Sequence, residues 1–154
     1  MIAVWVTYLG VDMKIVINSW YGGYSLSEKA IFKLAELKGI TLYPERNKRL
    51  GFTTYWIVPE DDELRKLILT GGNFYNASFE DRVRSNKLYD KLTLNTTFGD
   101  RSDPDLILTV EELGPHANGQ FSDLKVVEIP DGVEWEIEEN DGMEWIAEKH
   151  RTWS

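Results

Sequence analysis

The stretch Asn18 to Glu28, N-S-W-Y-G-G-Y-S-L-S-E, sets two adjacent glycines among aromatic rings, between an apolar run and a helical pattern. Such a junction has the parts needed to hold a phosphorylated ring compound. Gly22 and Gly23 allow a close approach of main chain to ligand and tolerate positive φ. The unpaired N–H groups of the helix start that follows favour an anion, with the hydroxyls of Ser25 and Ser27 beside them. Trp20, Tyr21 and Tyr24 offer faces on which a base stacks. Each part also has an ordinary use: a Gly-Gly pair between a strand and a helix reverses the chain, and the three rings fill a core.

Cations that would complete the site lie elsewhere. Arg101 precedes a second helix start, R-S-D-P-D-L, where its guanidinium fork suits a phosphate or a base edge, or else a salt bridge to Asp103 or Asp105. His150, Arg151 and Trp153, in E-K-H-R-T-W-S, offer another fork and ring, or a packing surface for a neighbouring subunit. Catalytic patterns are scarce: the chain has no P-loop, Rossmann fingerprint, G-x-S-x-G elbow or H-E-x-x-H. His150-Arg151-Thr152 has the H-x-T form used by one class of phosphodiesterase, but that chemistry needs two such elements and His116-Ala117-Asn118 does not supply the second. The many C-terminal carboxylates single out no acid–base couple. With two histidines and no cysteine, no metal site and no cofactor are expected. Binding without catalysis is the expected class.

The elements that must position these residues follow from periodicity and punctuation. Lys14 to Asn18 reads as a short buried strand. Ser25 opens S-L-S-E, a capping box with Ser25 as N-cap and Glu28 three residues on, and Leu26, Ala30, Ile31, Leu34 and Leu37 share a face before Gly39 stops the helix. Pro44 to Gly51 reads as a basic loop carrying Arg46, Lys48 and Arg49. Phe52 to Val58 is rich in aromatic and β-branched residues and reads as a strand. A short helix is expected over Asp61 to Leu69, broken by Gly71-Gly72-Asn73, then a helix over Ser78 to Leu92 and a loop or strand over T-L-N-T-T-F-G-D. Asp103 as N-cap, Pro104 at N1, and Gly114 with Pro115 at the stop bound a further helix. After a polar loop from His116 to Asp123, Leu124 to Ile129 is a strand. Val133, Trp135 and Ile137 then alternate with Glu134, Glu136 and Glu138, Asn140-Asp141-Gly142 turns the chain, and Met143, Trp145 and Ala147 repeat the alternation in an antiparallel hairpin. The expected class is α+β: one compact domain over residues 13–154, an antiparallel C-terminal sheet and two to four helices packed on it.

At 154 residues with 42% apolar content, the chain suffices for one proper core. Met13-Lys14 reads as an ordinary protein start, so residues 1–12 are expected to be an extension from an upstream start or an extra strand; they lack the basic flank and cleavage pattern of a signal peptide. Without cysteine, an intracellular setting is expected. The net charge is −9, and Glu128 to Glu148 holds nine acidic and no basic residues. Such a protein has no general grip on nucleic acid or anionic membrane, so neither is an expected partner.

Taken together, the blocks K-I-V-I-N, Y-G-G-Y-S-L-S-E-K-A, R-S-D-P-D-L, E-E-L-G-P-H-A-N-G, L-K-V-V-E-I-P-D-G-V-E-W-E-I-E-E, D-G-M-E-W and E-K-H-R-T-W-S resemble a widespread family of small phage proteins. They are identified with the nucleotide sponges that counter CBASS and Thoeris immunity. The resemblance runs from about Met13 to Ser154, with no matching block between Leu42 and Asp100. It implies a non-enzymatic homo-oligomer, expected to be a tetramer, acting in the host cell cytoplasm. Such a protein encloses a cyclic dinucleotide or a cyclic ADP-ribose type molecule and removes it stoichiometrically. Two other readings stand beside it: an acidic nucleic-acid mimic or interaction module that uses the glutamate face against a host enzyme, and a phosphodiesterase built on His150 and Thr152.

Overall fold

The structure, a computed structural model, describes residues 12–96 and 99–149. It has the expected α+β class, with every named strand pairing antiparallel. The strands form three two-stranded ladders, the last of them the expected C-terminal antiparallel hairpin. The chain divides into two compact units, one of residues up to Ile31 together with those from Asp100 onward, the other of Phe32–Gly99. No helix among the described residues is long and apolar enough to cross a membrane.

In the first unit, β1 (Met13–Asn18) pairs with β4 (Leu124–Ile129), Met13 opposite Ile129 and Asn18 opposite Leu124. The run K-I-V-I-N is buried from Ile15 through Asn18, because one face of the ladder meets α4 (Pro104–Leu113) and β6 (Met143–Glu148) also approaches β1. Helix α4 has the boundaries its sequence gives it: the Asp103 carboxylate accepts from the Asp105 N–H at 3.0 Å, Pro104 opens the first turn, and Gly114 leaves at φ +53°. Its inward residues Leu106, Thr109 and Val110 are buried. At its outer edge Lys14 Nζ donates to Glu111 at 2.5 Å, tying β1 to α4.

The start of α1 (Glu28–Leu37) corrects the expected capping box. Ser27, not Ser25, is the N-cap: its Oγ accepts from the Ala30 N–H at 3.1 Å. Leu26 makes an antiparallel bridge with Asn118, and the Ser27 N–H donates to the Ala117 carbonyl at 2.9 Å. That extended pairing holds the chain out of helical conformation for two residues longer than the S-L-S-E spacing implies.

The hairpin of β5 (Trp135–Asn140) and β6 turns through Asp141 at φ +52° and Gly142 at φ +85°, the two positive φ values of a type I′ turn. This two-residue loop fixes the register, with Asn140 opposite Met143, Glu138 opposite Trp145 and Glu136 opposite Ala147. Opposed residues share a face. Met143, Trp145 and Ala147 therefore lie with Glu136 and Glu138, while Glu144 lies with Trp135, Ile137 and Ile146.

In the second unit, β2 (Tyr43–Arg46) takes in Pro44 to Arg46 at the start of the expected basic loop and pairs with β3 (Thr53–Trp56). Pro44 is accepted there because an edge strand can spare one N–H. The expected helix over Asp61 to Leu69 shrinks to a single 3₁₀ turn at Arg65–Leu67, with Asp62 accepting from the N–H groups of Leu64 and Arg65. Gly71 and Gly72, expected as breakers, instead open the short α2 (Gly71–Asn76). Helix α3 (Phe79–Leu92) begins as read, with Ser78 Oγ accepting from the Asp81 N–H at 3.1 Å. Trp56 is buried, with the Arg65 guanidinium 4.1 Å above its ring, the Tyr89 ring edge-on, and its indole N–H donating to Glu45 at 2.7 Å.

Candidate functional site

β1 ends on a polar residue that the fold buries completely. Asn18 donates through Nδ2 to the carbonyls of Trp20 and Gly142, both at 2.6 Å, and accepts at Oδ1 from the Asp123 N–H at 2.8 Å. Its own N–H donates to Glu144 Oε2 at 2.8 Å. One side chain thus holds the Trp20–Gly23 turn, the Asp141–Gly142 turn and the start of β4 in one place.

The two glycine turns meet back to back. A Cβ on Gly142 would strike the backbone nitrogens of Gly22 and Gly23, and a Cβ on Gly22 would strike the Phe121 carbonyl. Gly23 stands at φ +91°, open to glycine and rarely to others. Close packing on backbone is therefore sufficient reason for Gly22 and Gly142, and the positive φ for Gly23, where a Cβ would meet nothing within 4 Å. Beside this contact lies an open groove of about 460 Å³, lined by Tyr21, Gly22, Gly23, Glu139, Asp141 and Gly142. Trp20, Tyr21 and Phe121 are each more than half exposed. Among the described residues, the N–H groups of Gly22 and Gly23 have no hydrogen-bond partner.

Arg101 is not available to a ligand in the way its sequence position implies. Its guanidinium makes a two-pronged ion pair with Glu144, both contacts at 3.0 Å, and donates to the Val16 carbonyl at 3.3 Å. It also lies 3.3 Å above the centre of the Tyr24 ring. The Arg101 and Glu144 side chains keep only 14% and 10% of their accessible surface. The partner is Glu144, not Asp103 or Asp105. Burial pushes the Tyr24 hydroxyl up to about 12, with Arg101 opposing the shift and Glu144 adding to it. Tyr24 is thus a half-buried shelf for the ion pair, not a stacking face.

Compared with protein-family models, curated proteins and solved structures, the chain matches none.

The expected residues therefore separate into two groups. Tyr21, Gly22 and Gly23 line the groove, and Trp20 is exposed next to them in the chain. Ser25, Ser27, Tyr24 and Arg101 are engaged by the fold. The Ser25 carbonyl accepts from the Gly119 N–H and the Ser122 hydroxyl. Ser27 Oγ donates to the His116 carbonyl at 2.6 Å, so the 3₁₀ turn Gly114–Ala117 bonds to the N-cap of α1 where an anion was expected. His150, Arg151 and Trp153 lie outside the described residues, as do residues 1–11 of the expected extension. Sequence reasoning missed Asn18, Glu144, Phe121 and Gly142. Two signals pointed to them: an amide ending an otherwise apolar strand, and a D-G turn whose register turns Glu144 inward. Among the described residues, no group of three or more His, Asp or Glu side chains is arranged to hold a metal ion.

The groove's electrostatics are mixed. Gly22 and Gly23 form one wall, their nitrogens close to the Gly142 main chain, while the other wall carries Glu139 and Asp141, with Glu139 Oε2 already accepting from the Gly142 N–H at 3.1 Å. The arrangement offers a ring face, donors for one acceptor group, and carboxylate acceptors for amino or hydroxyl protons.

Proposed function

We propose that this protein binds a cyclic nucleotide signal in the groove between the Trp20–Gly23 and Asp141–Gly142 turns and holds it without cleaving it. The observation that carries the reading is the pair of N–H groups at Gly22 and Gly23, which have no hydrogen-bond partner among the described residues, beside the exposed ring of Tyr21 and next in the chain to exposed Trp20. A base stacks on a ring face, and the two amides receive one oxygen of a phosphate or a base carbonyl. The carboxylates of Glu139 and Asp141 accept from ribose hydroxyls or an exocyclic amine, and they direct the phosphates to the glycine side by repulsion. Capture by stoichiometry demands slow release, which suits short donors on a pinned turn better than mobile lysines. In the resemblance to phage nucleotide sponges this activity is anti-defence, performed as a homo-oligomer in the infected cell.

The test is incubation with a panel of cyclic dinucleotides and cyclic ADP-ribose type molecules, removal of free ligand, heat denaturation and chromatography of what is released. Intact ligand in amounts approaching one per site supports the reading. Cleaved product replaces it with an enzyme, and an empty supernatant across the panel removes nucleotide capture altogether.

A further inference from the structure

The β2–β3 hairpin ends in a basic tip closed by hydrogen bonds to the side chain and main chain of Asn47. Asn47 Oδ1 accepts from the N–H groups of Arg49 at 3.0 Å and Leu50 at 2.9 Å. The Gly51 N–H donates to the Asn47 carbonyl at 2.8 Å, and the Asn47 N–H to Phe52 at 2.9 Å. This pinned turn presents Arg46, Lys48 and Arg49, none of which has an ion pair among the described residues. Leu50 and Phe52 stand beside them, exposed by 66% and 51%. A hydrogen-bonded tip that combines three cations without an ion pair among the described residues with two exposed apolar side chains is a good contact element.

The same chain carries a surface of opposite character. On the outer face of the β5–β6 ladder, Glu136 and Glu138 lie with Trp145 and Ala147. Glu134, also exposed, extends the row, with exposed Lys149 opposite it and donating its N–H to the Glu134 carbonyl at 2.9 Å, so three carboxylates face one ammonium there. The Trp145 ring is 41% exposed, and its indole N–H donates to Glu138 at 2.8 Å. An aromatic face framed by carboxylates is the environment in which a guanidinium gains both cation–π and charge-assisted contacts.

We propose that the protein associates with copies of itself by seating the Arg46, Lys48 and Arg49 tip of one protomer on the Glu134, Glu136 and Trp145 face of the next. Charge complementarity selects this occupant. The face repels nucleic acid and a second acidic face, and the tip is the exposed cluster of cations and apolar side chains that the chain itself supplies. Tip and face are different surfaces, so the contact is heterologous and each protomer gives one and receives one. The proposal is independent of the nucleotide groove.

Sedimentation of the full chain at about 0.05 M and about 0.5 M salt tests it, since the higher salt shortens the screening length to about 4 Å. Species larger than the monomer, closed rings or open chains as a heterologous contact allows, are expected at low salt, shifting toward monomer at high salt. The tip variant Lys48→Glu/Arg49→Glu and the face variant Glu134→Lys/Glu136→Lys, each confirmed as folded by circular dichroism, should each weaken association by at least about tenfold. Mixing the two variants should restore it, because each reversed surface then meets an opposite one. A wild type that is monomeric at low salt, variants that associate as before, or a mixture that stays apart would each overturn the proposal. The wild-type salt comparison stands whether or not a variant folds.

Discussion

At the scale of single residues, Asn18 is the hinge of the account, because it is wholly buried and both turns that border the groove hang on its amide. Asn18→Ala leaves the Trp20 and Gly142 carbonyls and the Asp123 N–H without their partner inside the protein. A loss of about 2–4 kcal/mol in urea unfolding is expected. Glu144→Gln strands the Arg101 charge in a nearly closed site and is expected to cost about 3 kcal/mol in the same measurement, because breaking one side of a buried ion pair leaves the other uncompensated. Tyr24 gives a pH signature. Its hydroxyl titrates at about 12 in the folded protein and near 10 in the unfolded chain, so between these values the unfolded chain holds fewer protons. Stability is then full below pH 10 and falls by up to about 1.4 kcal/mol per pH unit as the pH rises toward 12. Urea midpoints measured across that window should drop in the wild type, and the slope should flatten in Tyr24→Phe.

At the scale of elements, what could be read from the sequence was whatever is decided locally. Helix α4 is bounded by Asp103, Pro104 and Gly114, each acting within one turn of its own position, and its ends fall where those residues stand. Asp103→Ala should therefore cost about 1 kcal/mol in thermal unfolding, the usual worth of an N-cap. Ser27→Ala should cost at least as much and Ser25→Ala less, since only Ser27 Oγ bonds the helix; equal effects would contradict the assigned cap. The elements that sequence reading lost are those settled by distant partners. The strand β2 is hidden by Pro44, and its membership depends on pairing with β3. The cap of α1 moved because Asn118, 92 positions beyond Leu26, holds that residue in a bridge. Likewise nothing near Arg101 announces Glu144, 43 residues later. The residues of the groove were half visible for the same reason: the Gly-Gly pair is a local signal, whereas its opposite wall arrives from a hairpin near the other end of the chain.

At the scale of the whole molecule, the central claim is that the groove beside Gly22 and Gly23 captures a cyclic nucleotide through ring stacking and main-chain donors. Arg101, Ser27 and Tyr24 are spent on the fold, so affinity has to come from the exposed rings and the glycine amides. Charge on the acidic hairpin is a separate matter, bearing on self-association. Tyr21 is the residue that separates binding from folding, because it lines the groove yet keeps 56% of its surface exposed. The most direct measurement is equilibrium titration of the cyclic nucleotide panel into the wild type and Tyr21→Ala, with thermal unfolding of both as the control for folding. Saturable binding of at least one panel member is expected, weakened about 5-fold to 150-fold by loss of the ring, with unfolding temperatures nearly equal. Binding that is unchanged in Tyr21→Ala, or no binding by the wild type to any member, would contradict the central claim.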